Sequence, residues 1–472
     1  MALSHTSPVD VVIIGGGVLG CAIAERLSRT TAKVVLIEAE SDVAEHASKG
    51  NAGVAVFYYG KPGSHQTDLI NASNPLWEAI THRLNVPYRR IGGLMVALTD
   101  EESQTLEETV AEINACGVNA QLISRAAAIN LEPLVTPKII SGINMPDEGI
   151  IDPIRLTAAY ASLAATNGTQ FRFNERVIAI NHDENGSCIT TNLGQIRTRF
   201  IVNAAGVQAG KISELAGGET LNMYPRKGQY IVLDRTFGQN LSKIIFSTHS
   251  AHTKGSNVVP TTHGSALLGP TALDLQNLDD KSTDTQTIEW ILENAIKLAP
   301  SVADAAVIKT FAANRPAGDE AHRLRMDKNI SNLFHVTDRS AGVSISPAAA
   351  EMILQLLKVA GLDVEDSKDA IDVLPKVAAL RTSANPEELI KSDHLYGQVV
   401  CACEHVSAAE IKASLEGPVP ATSIDGVRKR TGAGYGRCQG SLCMAGISFL
   451  TATSTGKGPD SVLQTSRGTV GS

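Results

Sequence analysis

Two groups of residues have the types and spacing to do chemistry. The first is Gly15, Gly17 and Gly20, at G-x-G-x-x-G spacing, with Glu38 eighteen residues beyond the last glycine. Gly15 permits a tight turn, Gly17 lets backbone approach a pyrophosphate, and Gly20 lets a helix pack on a strand, so that a diphosphate sits at a helix N-terminus. A carboxylate at Glu38 can accept hydrogen bonds from both hydroxyls of an adenosine ribose, which favours an unphosphorylated ribose over NADP. The second group is Cys401, Cys403, Cys438 and Cys443, a C-x-C pair and a C-x4-C pair separated by thirty-four residues. Thiolates bind soft metal centres, and four of them complete a [2Fe–2S] cluster or a structural zinc site. Zinc sites usually use C-x2-C pairs, so this spacing points to the cluster.

The elements around each group fit these roles. Residues 11–14 form a β-branched apolar run of the kind that becomes a buried parallel strand, the glycines follow it directly, and residues 34–37 form a second strand ending at Glu38. Residues 45–55, small, polar and glycine-rich, predict a loop that approaches a ligand. Helices are expected over 69–84, 100–115, 154–167 and 347–359, and strands over 91–98, 171–180 and 197–206. The segments 224–234 and 257–271 predict antiparallel strands of a second sheet that would carry the substrate pocket. No second G-x-G-x-x-G follows a predicted strand, since Gly432, Gly434 and Gly436 lie among the cysteines. A flavin in the single dinucleotide site would therefore take its electrons straight from a small substrate.

The 472 residues suffice for two or three domains, and 43% hydrophobic with 19% charged is an ordinary globular composition. A net charge of −8 and a pI near 5.9 argue against nucleic-acid and anionic-membrane partners. No apolar run reaches the length of a membrane span and the N-terminus has no signal-peptide pattern, so a cytoplasmic protein without a transmembrane segment is expected. Of seven cysteines, Cys21, Cys116 and Cys188 are scattered and four cluster, which suits a reducing compartment rather than a disulfide framework.

With these segments placed, the chain resembles the FAD-dependent oxidoreductases of the D-amino-acid-oxidase superfamily, in the group of glycerol-3-phosphate and L-2-hydroxyglutarate dehydrogenases. The likeness covers nearly the whole length. It rests on 10–20 with Glu38, 48–53, 61–64, 149–153, 203–206, 225–230, 269–271, Asn314-Arg315-Pro316 and 342–344. Residues 401–443 resemble the bacterioferritin-associated-ferredoxin-like [2Fe–2S] module, down to the stretch from Arg428 to Cys438. The resemblance implies FAD and a [2Fe–2S] cluster as cofactors. It implies that Gly15, Gly17, Gly20 and Glu38 hold the ADP half, that Ser48 and Asn51 border the pyrophosphate and isoalloxazine, and that Val177 lies by the adenine. Gly206 would pass close to the dinucleotide, Gly342, Val343 and Ser344 would contact the flavin ring, and Arg315 would bind an anionic group of the substrate. Related sequences carry a histidine five residues after the equivalent of Asn51, where this chain has Val56. Tyr58, His65, His263 and Lys227 are the candidate replacements for that base.

The expected fold class is α/β: a discontinuous Rossmann-like FAD-binding domain over 8–85, 145–215 and 305–361, interleaved with an antiparallel-sheet substrate domain over 86–144 and 216–304. A linker over 362–396 would precede a small helical [2Fe–2S] domain over 397–455. The expected activity is a dehydrogenase that takes hydride from glycerol 3-phosphate, a 2-hydroxy acid or an amino acid, with Arg315, Lys227 and Tyr58 as catalytic candidates. Electrons would leave singly through the cluster to an acceptor protein, another subunit or a quinone-linked partner. Two alternatives remain open at this stage: a flavin and iron–sulfur electron-transfer or redox-sensing subunit without its own oxidation, and a nicotinamide enzyme with a zinc-stabilised tail. The run Arg428–Arg430 would offset the charge of the cluster or form a solvated helix face.

Overall fold

A computed structural model of the chain describes residues 9–55, 58–248, 256–456, 458 and 461–465. The apolar run Val9–Ile14 is the central parallel strand of an eight-stranded sheet, with Val34–Ile37 on one side and Gly194–Asn203 on the other. Val11, Val12 and Ile13 are fully buried, which explains why the run is continuously apolar rather than alternating. The helices Val18–Ser28, Pro153–Thr166 and Gly342–Val359 pack together on one face of this sheet. The last of these is long and apolar enough by composition to cross a bilayer, but 61% of it is buried in the protein. Pro347 lies inside it, and Ser346 Oγ donates to the Val343 carbonyl that the proline leaves without a partner.

The second sheet has nine strands, dominated by the long antiparallel pair Met223–Leu233 and Val307–Gly318. Residues 307–318 therefore pair with the second sheet, whereas the sequence reading groups them with 305–361. Their partner strand is equally long, and the register runs unbroken from Met223↔Gly318 to Val232↔Lys309. Two further expectations are adjusted. The helix over 69–84 is two, His65–Ser73 and Trp77–Leu84, separated at Asn74-Pro75 because proline cannot donate to the helix ladder. The strand over 171–180 is also two: Gln170–Arg172 joins Val34–Ile37, and Val177–Asp183 turns away into a hairpin with Gly186–Thr191.

Residues 362–396 are not a free linker. Asp366 bridges to Thr30, Ser367 N donates to the Arg29 carbonyl (2.8 Å), Leu374 N donates to the Arg83 carbonyl (3.0 Å), and Pro386–Ser392 is a helix. The polarity that suggests a linker is that of a strap lying on the surface. Beyond it, the hairpin of Val399–Cys401 and Val406–Ser407 and the helices Ala408–Glu416, Ile424–Thr431 and Met444–Thr455 enclose a small separate core.

Candidate active site and metal centre

The turn after Val9–Ile14 has the geometry its glycines require. Gly15 sits at φ +113° and a Cβ there would lie 2.5 Å from the Ala204 carbonyl oxygen, while a Cβ at Gly20 would overlap the Gly15 carbonyl. Glu38 closes the turn: its carboxylate accepts from Gly16 N (2.6 Å) and Glu40 N (2.9 Å), and burial raises its pKa. Ser48 Oγ accepts from Val18 N (2.9 Å), so the 45–51 loop is fixed to the first turn of the Val18–Ser28 helix. Asn51 Oδ1 accepts from Gly53 N (2.8 Å), and Gly50 packs so closely on Ala313 that a Cβ would overlap it. That contact brings the loop beside Asn314 and Arg315.

These elements enclose one cavity of about 1250 Å³ that runs from the first sheet to the second. Gly15, Gly17, Glu38, Ser48, Asn51, Tyr58, Val177, Gly206, Arg315, Gly342 and Val343 all lie on its wall. Three of the glycines test whether a dinucleotide fits. A Cβ at Gly17 would meet nothing closer than Ser48 Oγ at 3.4 Å, one at Gly342 nothing closer than 3.7 Å, and one at Gly206 nothing within 4 Å. Packing of the protein does not exclude side chains there, so the space they leave open belongs to the ligand, and FAD fits the residues present. Gly20 and Ser344 are buried behind the wall and support it.

At the far end of the cavity Arg315 Nη2 donates to the Thr271 carbonyl (2.6 Å), its guanidinium has no carboxylate partner among the described residues, and burial lowers its pKa. Tyr230, stacked on Phe311 with ring centroids 4.8 Å apart, lies on the same wall, as do Lys61 and Arg339. Lys227 is a correction: it is off the cavity wall because its Nζ turns to Asp280 (2.9 Å), whose carbonyl also accepts from Asn314 Nδ2 (3.0 Å) on the neighbouring strand. Arg226 itself is held by Asp274 in a two-point ion pair. Burial raises the Tyr58 pKa and so keeps its hydroxyl protonated. His263 is also off the wall, bonded to Asp152 (2.7 Å). Val56 lies outside the described residues. Sequence reasoning missed His322, Gln66 and Asp338, which meet at the cavity wall beside His65. They come from three separate segments, and no local motif joins them.

The four cysteines converge as two pairs. Cys403 and Cys438 sulfurs are 3.6 Å apart, and Cys443 is hydrogen-bonded to Cys401, which also accepts from Gly434 N (3.4 Å). No three of the sulfurs lie mutually within 4.8 Å. A single tetrahedral zinc needs all four together, whereas a two-iron centre takes one pair per metal, so the donor set fits a [2Fe–2S] cluster. Backbone N–H groups of Leu442 and Gly440 lower the Cys438 pKa to about 7, and burial pushes Cys443 up to about 12.

The basic run is neither a solvated face nor a shell around the cluster. Arg430 forms a two-point ion pair with Asp42 (2.7 and 2.8 Å), and buried Lys429 binds Asp42 (3.0 Å), Glu45 and the Val43 carbonyl. Lys49 pairs in return with Asp425. Burial alone would raise the Asp42 pKa, but Arg430 and Lys429 pull it down to about 2. Only Arg428 turns to the cysteine loop, donating to the Gly434 carbonyl (3.0 Å) and lying over the Tyr435 ring. The cluster domain thus grips the same 42–49 segment that lines the cavity.

The sequence profile of FAD dependent oxidoreductases matches residues 10–356, and that of the BFD-like [2Fe-2S] binding domain matches 399–450. The chain belongs to this family of FAD-dependent oxidoreductases and carries a C-terminal [2Fe–2S] domain. The glycerol 3-phosphate dehydrogenase of Caloramator mitchellensis is 30% identical over 95% of this chain and 94% of its own length. One subunit of the anaerobic glycerol-3-phosphate dehydrogenase of Escherichia coli K12 is 24% identical over 92% of this chain and 86% of its own. Among solved structures, FAD-bound L-alpha-glycerophosphate oxidase from Mycoplasma pneumoniae superposes with a TM-score of 0.73 at 26% identity, covering 79% of this chain and 100% of that one.

Proposed function

We propose that the chain is a glycerol 3-phosphate dehydrogenase that oxidises the secondary hydroxyl of its substrate to a ketone and passes electrons through its cluster to a partner subunit or quinone-linked carrier. The observation that carries this reading is Arg315, a half-buried guanidinium on the cavity wall whose bonds go to backbone carbonyls, leaving its charge for an anion. Relatives named for glycerol 3-phosphate support the choice of anion. Bound FAD supplies a hydride acceptor, and the cluster supplies a one-electron outlet.

In this reading Gly15, Gly17, Glu38 and Val177 hold the adenosine diphosphate half. Ser48, Asn51 and 342–344 hold the part nearest the reacting end. Arg315 orients the phosphate while apolar Met95, Phe246 and Val259 exclude water from the substrate carbon. A cytoplasmic location belongs to the same proposal, since Cys21, Cys116 and Cys188 are scattered along the sequence rather than set out as a disulfide framework. Anaerobic addition of glycerol 3-phosphate to the yellow-brown holoprotein should bleach the flavin and then reduce the cluster. A protein bleached by a 2-hydroxy acid or an amino acid but not by glycerol 3-phosphate refutes the substrate.

A further inference from the structure

Oxidation of an alcohol needs a group to take the hydroxyl proton, and the cavity wall holds a histidine oriented by a carboxylate. His322 stands on the strand His322–Met326, opposite Asp338 in the antiparallel register with Leu333–Asp338. Its Nδ1 lies 3.0 Å from Asp338 Oδ2, and its side chain is 9% exposed. Asp338 is held in turn by Gln66 Nε2 (2.5 Å) and by the N–H groups of Ser340 and Ala341 at the start of the Gly342–Val359 helix. A carboxylate facing Nδ1 fixes the proton on that nitrogen and leaves the lone pair on Nε2. Nε2 has no hydrogen-bond partner among the described residues and is shielded from the cavity, so a substrate hydroxyl reaches it only when the ring turns or a neighbouring side chain such as His65 moves aside.

We infer that His322 Nε2 accepts the substrate hydroxyl proton, with Asp338 as the positioning residue that orients the ring. The inference rests on the alcohol-oxidising reading above. The O–H bond breaks with its proton going to Nε2, the C–H bond breaks with its electron pair leaving as hydride to the bound flavin, and the C–O bond becomes C=O. The other candidates are less suited. Tyr58 is kept protonated by burial, Lys227 and His263 are off the cavity, and His65 Nε2 faces the Met352 sulfur at 3.1 Å with no carboxylate to orient it. His65 instead packs edge-on against His322 with ring centroids 5.1 Å apart.

The charged and titratable groups around His322 are Asp338 from the neighbouring strand, His65 with Asp68 behind it on the His65–Ser73 helix, and Arg339 and Lys61 on the same cavity wall. The packed Gly342–Val359 helix presents Met352 to this corner, and its Glu351 is paired with Arg26.

The test is anaerobic stopped-flow reduction of the flavin by glycerol 3-phosphate across pH. H322N should slow reduction by about 10²- to 10⁴-fold and remove the acid limb of the pH profile. Binding of 1-propyl phosphate, read by perturbation of the flavin spectrum, should stay within about threefold of wild type. Free imidazole should restore part of the rate to H322A, and H263N should behave as wild type. In the unmodified protein the acid limb should carry the ionisation enthalpy of an imidazole rather than of a carboxylate, a readout independent of any folding defect in a variant. An H322N protein with wild-type rate and pH profile overturns the assignment. So does loss of propyl phosphate binding in parallel with rate and without imidazole rescue, or a wild-type acid limb with a carboxylate's enthalpy. A wild type that glycerol 3-phosphate does not bleach overturns the substrate reading instead.

Discussion

The FAD cavity and the cysteine cage solve the problem of holding a redox centre in opposite ways. The cavity draws its wall from residues 14 to 343, mostly as backbone, small side chains and loops held by a deep core. Its shape is set by that core, and the glycines mark where side chains are left out to make room for the ligand. The cage is local, with all four thiols between 401 and 443 around a core of about ten buried residues. A domain of that size rarely supplies enough burial alone and relies on its metal centre and on docking. One site is a scaffold that binds a cofactor, and the other is a cofactor that completes its scaffold.

The most severe way to break the contrast is Cys438→Ser. Iron and sulfide analysis should fall to near zero and the helices beyond residue 397 should lose protection from hydrogen exchange, while FAD stays bound and is still bleached by substrate. Loss of FAD along with the cluster would contradict the independence of the cavity. The converse change, Gly342→Val, puts a side chain into open ligand space. FAD affinity measured by fluorescence should weaken by about 100-fold, roughly 3 kcal/mol, with iron content unchanged.

Arg430→Ala probes the junction between the two sites. It leaves Asp42 buried with only Lys429 beside it, and a cost of about 3 kcal/mol is expected in calorimetric unfolding, with faster exchange over residues 40–49. Acid should act on the same contact. Asp42 has a folded pKa of about 2, below its unfolded value, so its contribution of roughly 2 kcal/mol is complete above about pH 5 and is lost as pH falls towards 2. Asp42→Asn should show that step flattened in a pH series of chemical denaturation. The smallest effect is expected for Lys227→Met, which should leave KM for glycerol 3-phosphate within about threefold because its ion pair lies off the cavity, whereas Arg315→Met should raise KM by more than tenfold.

The sequence makes the two cofactors legible for a physical reason. Both are bound by local patterns, a turn that only glycine can make and thiols at fixed spacing, so Gly15, Gly20, Glu38 and the cysteines can be found without knowing the fold. Arg315 and Lys227 illustrate the limit. Both are basic residues in neighbouring strands of the second sheet, and only the folded chain reveals that Lys227 is taken by Asp280 while Arg315 stands on the cavity wall. His322, Asp338 and Gln66 stay hidden because a triad assembled across three elements leaves no trace in any one of them. The strap over 362–396 reads as a linker because its contacts are made largely by backbone, which composition does not report.

That strap has a consequence for how electrons leave. A domain on a loose tether could swing between its source and a distant receiver, but here residues 366–374 are stitched to the first sheet's helices and loops, and the helix Ile424–Thr431 of the cluster domain is clamped against residues 42–49. The outlet therefore stays where it is. A bound subunit or a passing carrier must meet it there, so turnover should not slow in viscous solvent through any internal swing.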